Sequence, residues 1–294
     1  MLAGMDDAAP IARIADPLER AMAFAEARAF EPLTLADIAA VAALSPYHFG
    51  RQFSARFGLT PMAFVRARRL GLAAKVLASP NPPSLVDLAF DAGFESQEGF
   101  TRAFKRAFGV SPGRYRRGAA LPMEAAIMSD AAAVARVTQE PAPVRKPGFR
   151  VAGLSEVFDE SNKAGIPLLW QKLVPSLSLP GQLGEGAYGV GCPTETAVEG
   201  CFRYAAAVAV DPKASLPAGV EAFDVPEQTY LIFRLQTDGS ALHPQMQAAM
   251  REIWGHRIPL SGYKLAQGPD LEVYPPGFQD DRPAGLEWWI PVEA

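Results

Sequence analysis

The sequence predicts a multidomain chain: an all-α domain of two helix-turn-helix units, then an α+β domain of two strand-helix-strand-strand units. Three observations predict it. Residues 37–61 lay over residues 87–112, the charge changes sign near residue 118, and beyond residue 141 short alternating apolar runs replace amphipathic helices.

The repeat reads "DIAAVAALSPYHFGRQFSARFGLTP" over "DLAFDAGFESQEGFTRAFKRAFGVSP". Asp37 matches Asp87 at an offset of 50. After one inserted residue, Phe49/Phe100, Arg51/Arg102, Phe53/Phe104, Gly58/Gly109 and Pro61/Pro112 match at 51. Two copies make a duplicated unit, spanning 34–57 and 84–108. Thr34 and Ser84 are N-cap residues, each with an Asp three positions on. Ser45 (before Pro46) and Ser96 start the second helix of each copy, and Gly58 and Gly109 end it where a left-handed residue is wanted. Phe100, Phe104 and Phe108 make one narrow stripe with Ala103 and Ala107, which turns Gln97, Glu98, Thr101, Arg102 and Lys105 outward. The first copy turns Tyr47, Gly50, Arg51 and Ser54 outward. A short helix, a tight turn and a longer helix is the arrangement that lays its second helix in the DNA major groove.

Residues 15–117 resemble the AraC/XylS family DNA-binding domain, on "LSPYHFGRQFSARFG" and "GFESQEGFTRAFKRAFGVSPGRYRR". The resemblance implies two recognition helices in successive major-groove segments of double-stranded DNA, about 34 Å apart. The DNA-binding candidates are Tyr47, Arg51, Ser54, Gln97, Glu98, Thr101, Arg102 and Lys105. Glu98 either accepts from a cytosine amine or caps its helix. Gly50 stands where a larger side chain would reach a base.

Charge agrees. Residues 46–117 carry 12 Lys/Arg against 4 Asp/Glu, net +8, whereas residues 118–294 carry 13 against 21, net −8. Phosphate contacts dominate nucleic-acid affinity, so the basic part is expected on DNA and the acidic part off it. Arg66, Arg68, Arg69, Arg114, Arg116 and Arg117 are expected to make phosphate contacts or to be solvated surface. His48 is either packed or a DNA-side contact.

The 294 residues, 49% hydrophobic, can support two cores. A signal peptide and a membrane span are not expected, which places the protein in the cytoplasm. Cys192 and Cys201, nine apart with no histidine near, are expected as buried thiols without a metal.

Residues 118–141, rich in Ala and Pro, read as a linker between a first domain over 1–117 and a second over 142–294. In the second, 149–158, 187–192, 201–210, 228–236, 263–275 and 285–292 read as strands, with helices over 166–177 and 242–255. Strand, helix, strand, strand occurs twice, which predicts pseudo-twofold symmetry.

This half resembles the GyrI-like effector-binding domain, on "LLWQKL", "YGVG", "CFRYAAAVAV", "WGHRIPLSGYKL", "GPDLEVYP" and "EWWIPV". The resemblance implies a cleft between the repeats, lined by aromatics and holding one glutamate that attracts cationic or amphipathic small molecules. Here that glutamate is Glu272, and the aromatic candidates are Trp170, Tyr188, Tyr204, Tyr274 and Trp289. Alternation alone would leave Glu272 on a solvated sheet face and the aromatics in the core.

Three functions follow. The first is a transcriptional regulator whose second domain senses a small organic ligand and biases engagement of DNA or RNA polymerase. In the second, that domain answers to a protein or to nothing, serving as a binding module. The third is a GyrI-like hydrolase fused to a DNA-binding domain, against which no Ser-His-Asp or Cys-His set is apparent. No catalytic residues and no cofactor are assigned.

Overall fold

The computed structural model describes residues 14–118, 136–137, 141–159, 162–194, 201–238, 242–278 and 285–293. The chain divides into two compact units near residue 131. Most of the expected linker therefore lies outside the described residues.

The first unit holds seven helices among the described residues: α1 (Pro17–Ala27), α2 (Leu35–Val41), α3 (Pro46–Phe57), α4 (Pro61–Leu77), α5 (Leu85–Asp91), α6 (Gln97–Phe108) and α7 (Pro112–Arg116). Each starts on a short polar cap. Thr34 and Asp37 close a reciprocal capping box, while Ser45, Thr60, Ser84, Ser96 and Ser111 each accept from an amide three residues on. Such a cap is worth about 1 kcal/mol. Gly58 and Gly109 close α3 and α6 in the left-handed region, at φ 74° and 71°. The apolar stripe of α6 buries Phe100 and Phe104 completely against Leu70, Ala73 and Leu77 of α4 and Leu88 and Ala89 of α5. Ala107, expected with that stripe, is exposed at the helix end.

The turn between α5 and α6 needs a left-handed residue, and Gly93 supplies it at φ 73°. Fifty residues earlier the same turn is made by Ala43, at φ 55°. Its Cβ makes that conformation cost about 1–2 kcal/mol.

The second unit is an antiparallel sheet of nine strands among the described residues: β1 (Arg136–Val137), β2 (Pro143–Lys146), β3 (Phe149–Phe158), β4 (Ala187–Pro193), β5 (Phe202–Ala209), β6 (Glu221–Val225), β7 (Gln228–Gln236), β8 (Asp270–Tyr274) and β9 (Gly285–Pro291). Their order is β1-β7-β9-β8-β4-β5-β3-β6, with β2 also on β7. Helix α8 (Ile166–Leu173) follows β3, and α9 (Leu242–Glu252) follows β7. Strand, helix, strand, strand is thus repeated, and β4 pairs with β8 at the centre. Both helices cover one face: Leu169 and Leu173 pack on Tyr204 and Ala206, and Ala249 joins Phe233 and Trp288.

Three expectations shorten. Helix 166–177 is α-helical only to Leu173 and ends in a 3-10 turn, Val174–Ser176. Helix 242–255 gives way after Glu252 to a π turn, Ile253–Arg257. Strand 263–275 is paired only over Asp270–Tyr274, apart from one bridge at Leu265. Gly268, at φ 142°, lets the Gln228 carboxamide into the space a side chain would fill.

Candidate nucleic-acid interface and ligand site

On α6 the packing of Phe100 and Phe104 decides what faces out. Glu98, Arg102 and Lys105 are exposed, with Gln97 and Thr101 half-buried beside them. On α3, buried Phe49 and Phe53 leave Tyr47, Arg51 and Ser54 half-buried. Arg51 is held within its own helix: Nη1 donates to the Tyr47 hydroxyl at 3.4 Å, and the guanidinium lies 5.7 Å from the Tyr47 ring centre. His48 is buried, its Nδ1 3.0 Å from Ser45 Oγ, so it is a packed residue.

Two arginines of the basic surface have structural work. Arg69 donates to the backbone carbonyls of Ala29 (2.5 Å) and Glu31 (2.9 Å), and its guanidinium fills the space a Gly93 side chain would need. Arg116 donates to the carbonyls of Pro82 and Pro83 at 3.4 and 3.3 Å. The expectation of phosphate contact or plain solvated surface is corrected for Arg69, which is half-buried against carbonyls of its own unit, whereas Arg116 stays exposed at the surface.

In the second unit, strand pairing sets one row of residues across the helix-covered face: Leu154, Ala206, Gly189, Glu272, Trp288 and Phe233. Glu272 is half-buried on that face, not solvated. Its Oε2 accepts from the hydroxyls of Tyr204 (2.7 Å) and Tyr274 (2.8 Å). Trp170, projecting from α8, donates Nε1 to the Tyr204 oxygen at 3.0 Å. Its ring stands edge-on to Tyr274 and Phe278, at 5.0 and 5.5 Å. Gly189 makes the arrangement possible: a Cβ there would lie 2.6 Å from Glu272 Oε2 and collide with the Tyr204 hydroxyl. Burial, then the Glu272 charge, pushes the Tyr204 phenol well above its ordinary range, so it stays a proton donor.

Strand pleating separates the other two candidates. Tyr188 and Trp289 lie on the opposite sheet face, with Tyr230, Val190 and Leu271. Tyr188 packs on Phe149 (5.1 Å), while Trp289 donates to Glu287 Oε2 at 2.8 Å under the Lys146 ammonium. Phe278 and Gly189 were not singled out beforehand. The glycine stands inside "YGVG", and its use shows only once its strand is registered against Glu272. The thiols are corrected too: Cys192 and Cys201 are free but only half-buried, because both lie at the end of the β4–β5 hairpin.

Such a site suits an organic cation. A carboxylate gives charge, and ring faces add about 0.5–2 kcal/mol each. Among the described residues no helix is long and apolar enough to cross a membrane.

Residues 139–293 match the GyrI-like small molecule binding domain, and residues 38–118 match a helix-turn-helix domain of AraC type. The chain belongs to the GyrI-like family, with an AraC-type DNA-binding domain in front. It is similar to the right origin-binding protein of Escherichia coli K12, 41% identical over 87 residues, 30% of either chain. It is also similar to the transcriptional regulator MtrA of Neisseria gonorrhoeae, 41% identical over 78 residues, 26% of either chain. The chain thus spans less than a third of these relatives' length. The solved structure of SAV2435 bound to tetraphenylphosphonium matches at 21% identity and TM-score 0.44, over 53% of this chain and 95% of that one.

Proposed function

We propose that the protein is a one-component transcriptional regulator. Its first domain reads an operator in double-stranded DNA through α6, with α3 contributing. Its second domain binds a small cationic or amphipathic organic molecule at Glu272, and occupancy biases how the first engages DNA or RNA polymerase. The observation that carries the sensing half is the single carboxylate oxygen held by two phenols beneath Trp170. A ligand cation replaces neutral donors around that carboxylate with an opposite charge, and Trp170 connects the exchange to α8. The reading assigns the site to binding rather than catalysis, in keeping with relatives that are regulators.

Selection of bound sequences from random DNA, with and without tetraphenylphosphonium, tests the reading. It expects one enriched motif whose affinity or polymerase recruitment changes with the cation. Absence of any enriched motif would defeat the regulator reading, and an unchanged response at saturating cation would defeat the sensing half.

A further inference from the structure

Gly50 stands in the middle of α3, in helical backbone that any residue adopts, yet a glycine there weakens a helix relative to alanine. Gly58 and Gly109 supply left-handed turns, and Gly189 makes room for Tyr204 and Glu272. Gly50 does neither: a Cβ at its position would meet nothing within 4 Å among the described residues. The duplicated unit shows that packing does not require it. Helices α3 and α6 are both 12 residues long and bury Phe49 and Phe53, or Phe100 and Phe104, at the same places. At the position of Gly50, α6 carries Thr101.

The neighbours leave that gap open. Tyr47 lies one turn before Gly50 on the same helix face, and Ser54 one turn after. Arg51 is drawn back onto Tyr47, by the hydroxyl contact at 3.4 Å and the ring contact at 5.7 Å, so its guanidinium stays out of the gap. What remains is bare backbone at the centre of the face that a helix-turn-helix lays in the major groove. It offers no side-chain donor or acceptor. Among the groups that base pairs present in that groove, the thymine C5-methyl alone is apolar and needs no hydrogen bond. A Cβ would fill the space that such a methyl takes.

We infer that Gly50 is a specificity-determining residue of the first unit: its missing side chain lets one thymine methyl of the operator close on the α3 backbone. The inference rests on the regulator reading above. The test uses the full chain and a duplex selected from random DNA, with each thymine replaced in turn by deoxyuridine, which removes the methyl and keeps the pairing. One replacement is expected to weaken wild type about fourfold, the worth of one buried methyl group, and to leave Gly50→Ala unaffected. On the unmodified duplex Gly50→Ala is expected to bind about tenfold more weakly than wild type. Its α3 amides are expected to exchange with solvent more slowly, because alanine is the better helix former. A firmer helix with a weaker complex separates contact with DNA from a folding defect. Gly71→Ala, at an equally open glycine in α4, is expected to stay within about twofold of wild type on the same duplex. Four results overturn the inference and leave the regulator reading standing: Gly50→Ala binding as tightly as wild type, wild type indifferent to every deoxyuridine, equal losses in Gly50→Ala and Gly71→Ala, or faster exchange in α3 of Gly50→Ala. Failure of the wild type to select any motif overturns the regulator reading and the inference with it.

Discussion

Arg102 and Arg117 carry the same charge in the same basic domain, yet their losses should differ. Arg102 is exposed on the outer face of α6, where a guanidinium can meet guanine through two hydrogen bonds worth about 1–3 kcal/mol of discrimination. Arg117 follows α7, exposed, and is expected to meet phosphate. In equilibrium titrations, Arg102→Ala should narrow the gap between operator and random DNA. Arg117→Ala should weaken both equally and lower the salt slope by about one. Equal losses on both DNAs for Arg102→Ala would remove its base-reading role. Single residues also mark the limit of reading a sequence. Alternation puts Glu272 opposite in sense to Leu271 and Val273, but which face carries helices is settled only when strands are ordered. The same parity divides Tyr188 from Gly189 and Trp288 from Trp289, so two aromatics grouped with Glu272 by resemblance fall on the far face.

In the two helix-turn-helix units, the starts of α2, α3, α5 and α6 and the ends of α3 and α6 were legible because caps are local chemistry: a Ser or Thr at the start, a glycine at the end. Strands β3 and β7 were legible to the residue because each is a nine- or ten-residue run that carries apolar residues on both faces. The short strands β1, β2 and β6 were not, since "RV", "PVRK" and "EAFDV" carry too little pattern, and their pairing comes from the neighbours that accept them. Ala43 gives a test at this scale. Ala43→Gly should stabilise the first unit by about 1 kcal/mol, because it relieves a left-handed alanine at modest entropic cost. Gly93→Ala should destabilise it, because the new Cβ would also lie 2.5 Å from Arg69 Nη1. Thermal melts of both variants check the pair, and a lower midpoint for Ala43→Gly would contradict the account.

Across the whole molecule, the opposite net charges of the two parts predict separable behaviour. Residues 1–118 produced alone should bind DNA with a steep salt dependence, and residues 136–294 alone should not, as a gel shift at 50 and 200 mM salt would show. The second unit should also fail in alkali. Burial pushes the Tyr230 phenol up to about 12 and raises that of Tyr204, whereas phenols in an unfolded chain ionise near 10. Unfolding then releases protons, so stability is full below about pH 10 and is lost as pH rises toward 12. Tyr230→Phe should flatten that fall in urea titrations at pH 8–11.5, since the Tyr230 hydroxyl has no hydrogen-bond partner among the described residues.

The sensing claim depends on one oxygen of Glu272. Glu272→Gln keeps the shape and removes the charge that a cation would meet between Tyr204 and Tyr274. Calorimetry of tetraphenylphosphonium against the full wild-type chain and this variant is the most direct measurement. The account predicts a loss of about 2–5 kcal/mol of affinity with operator binding intact. Equal affinity in the two proteins would contradict it.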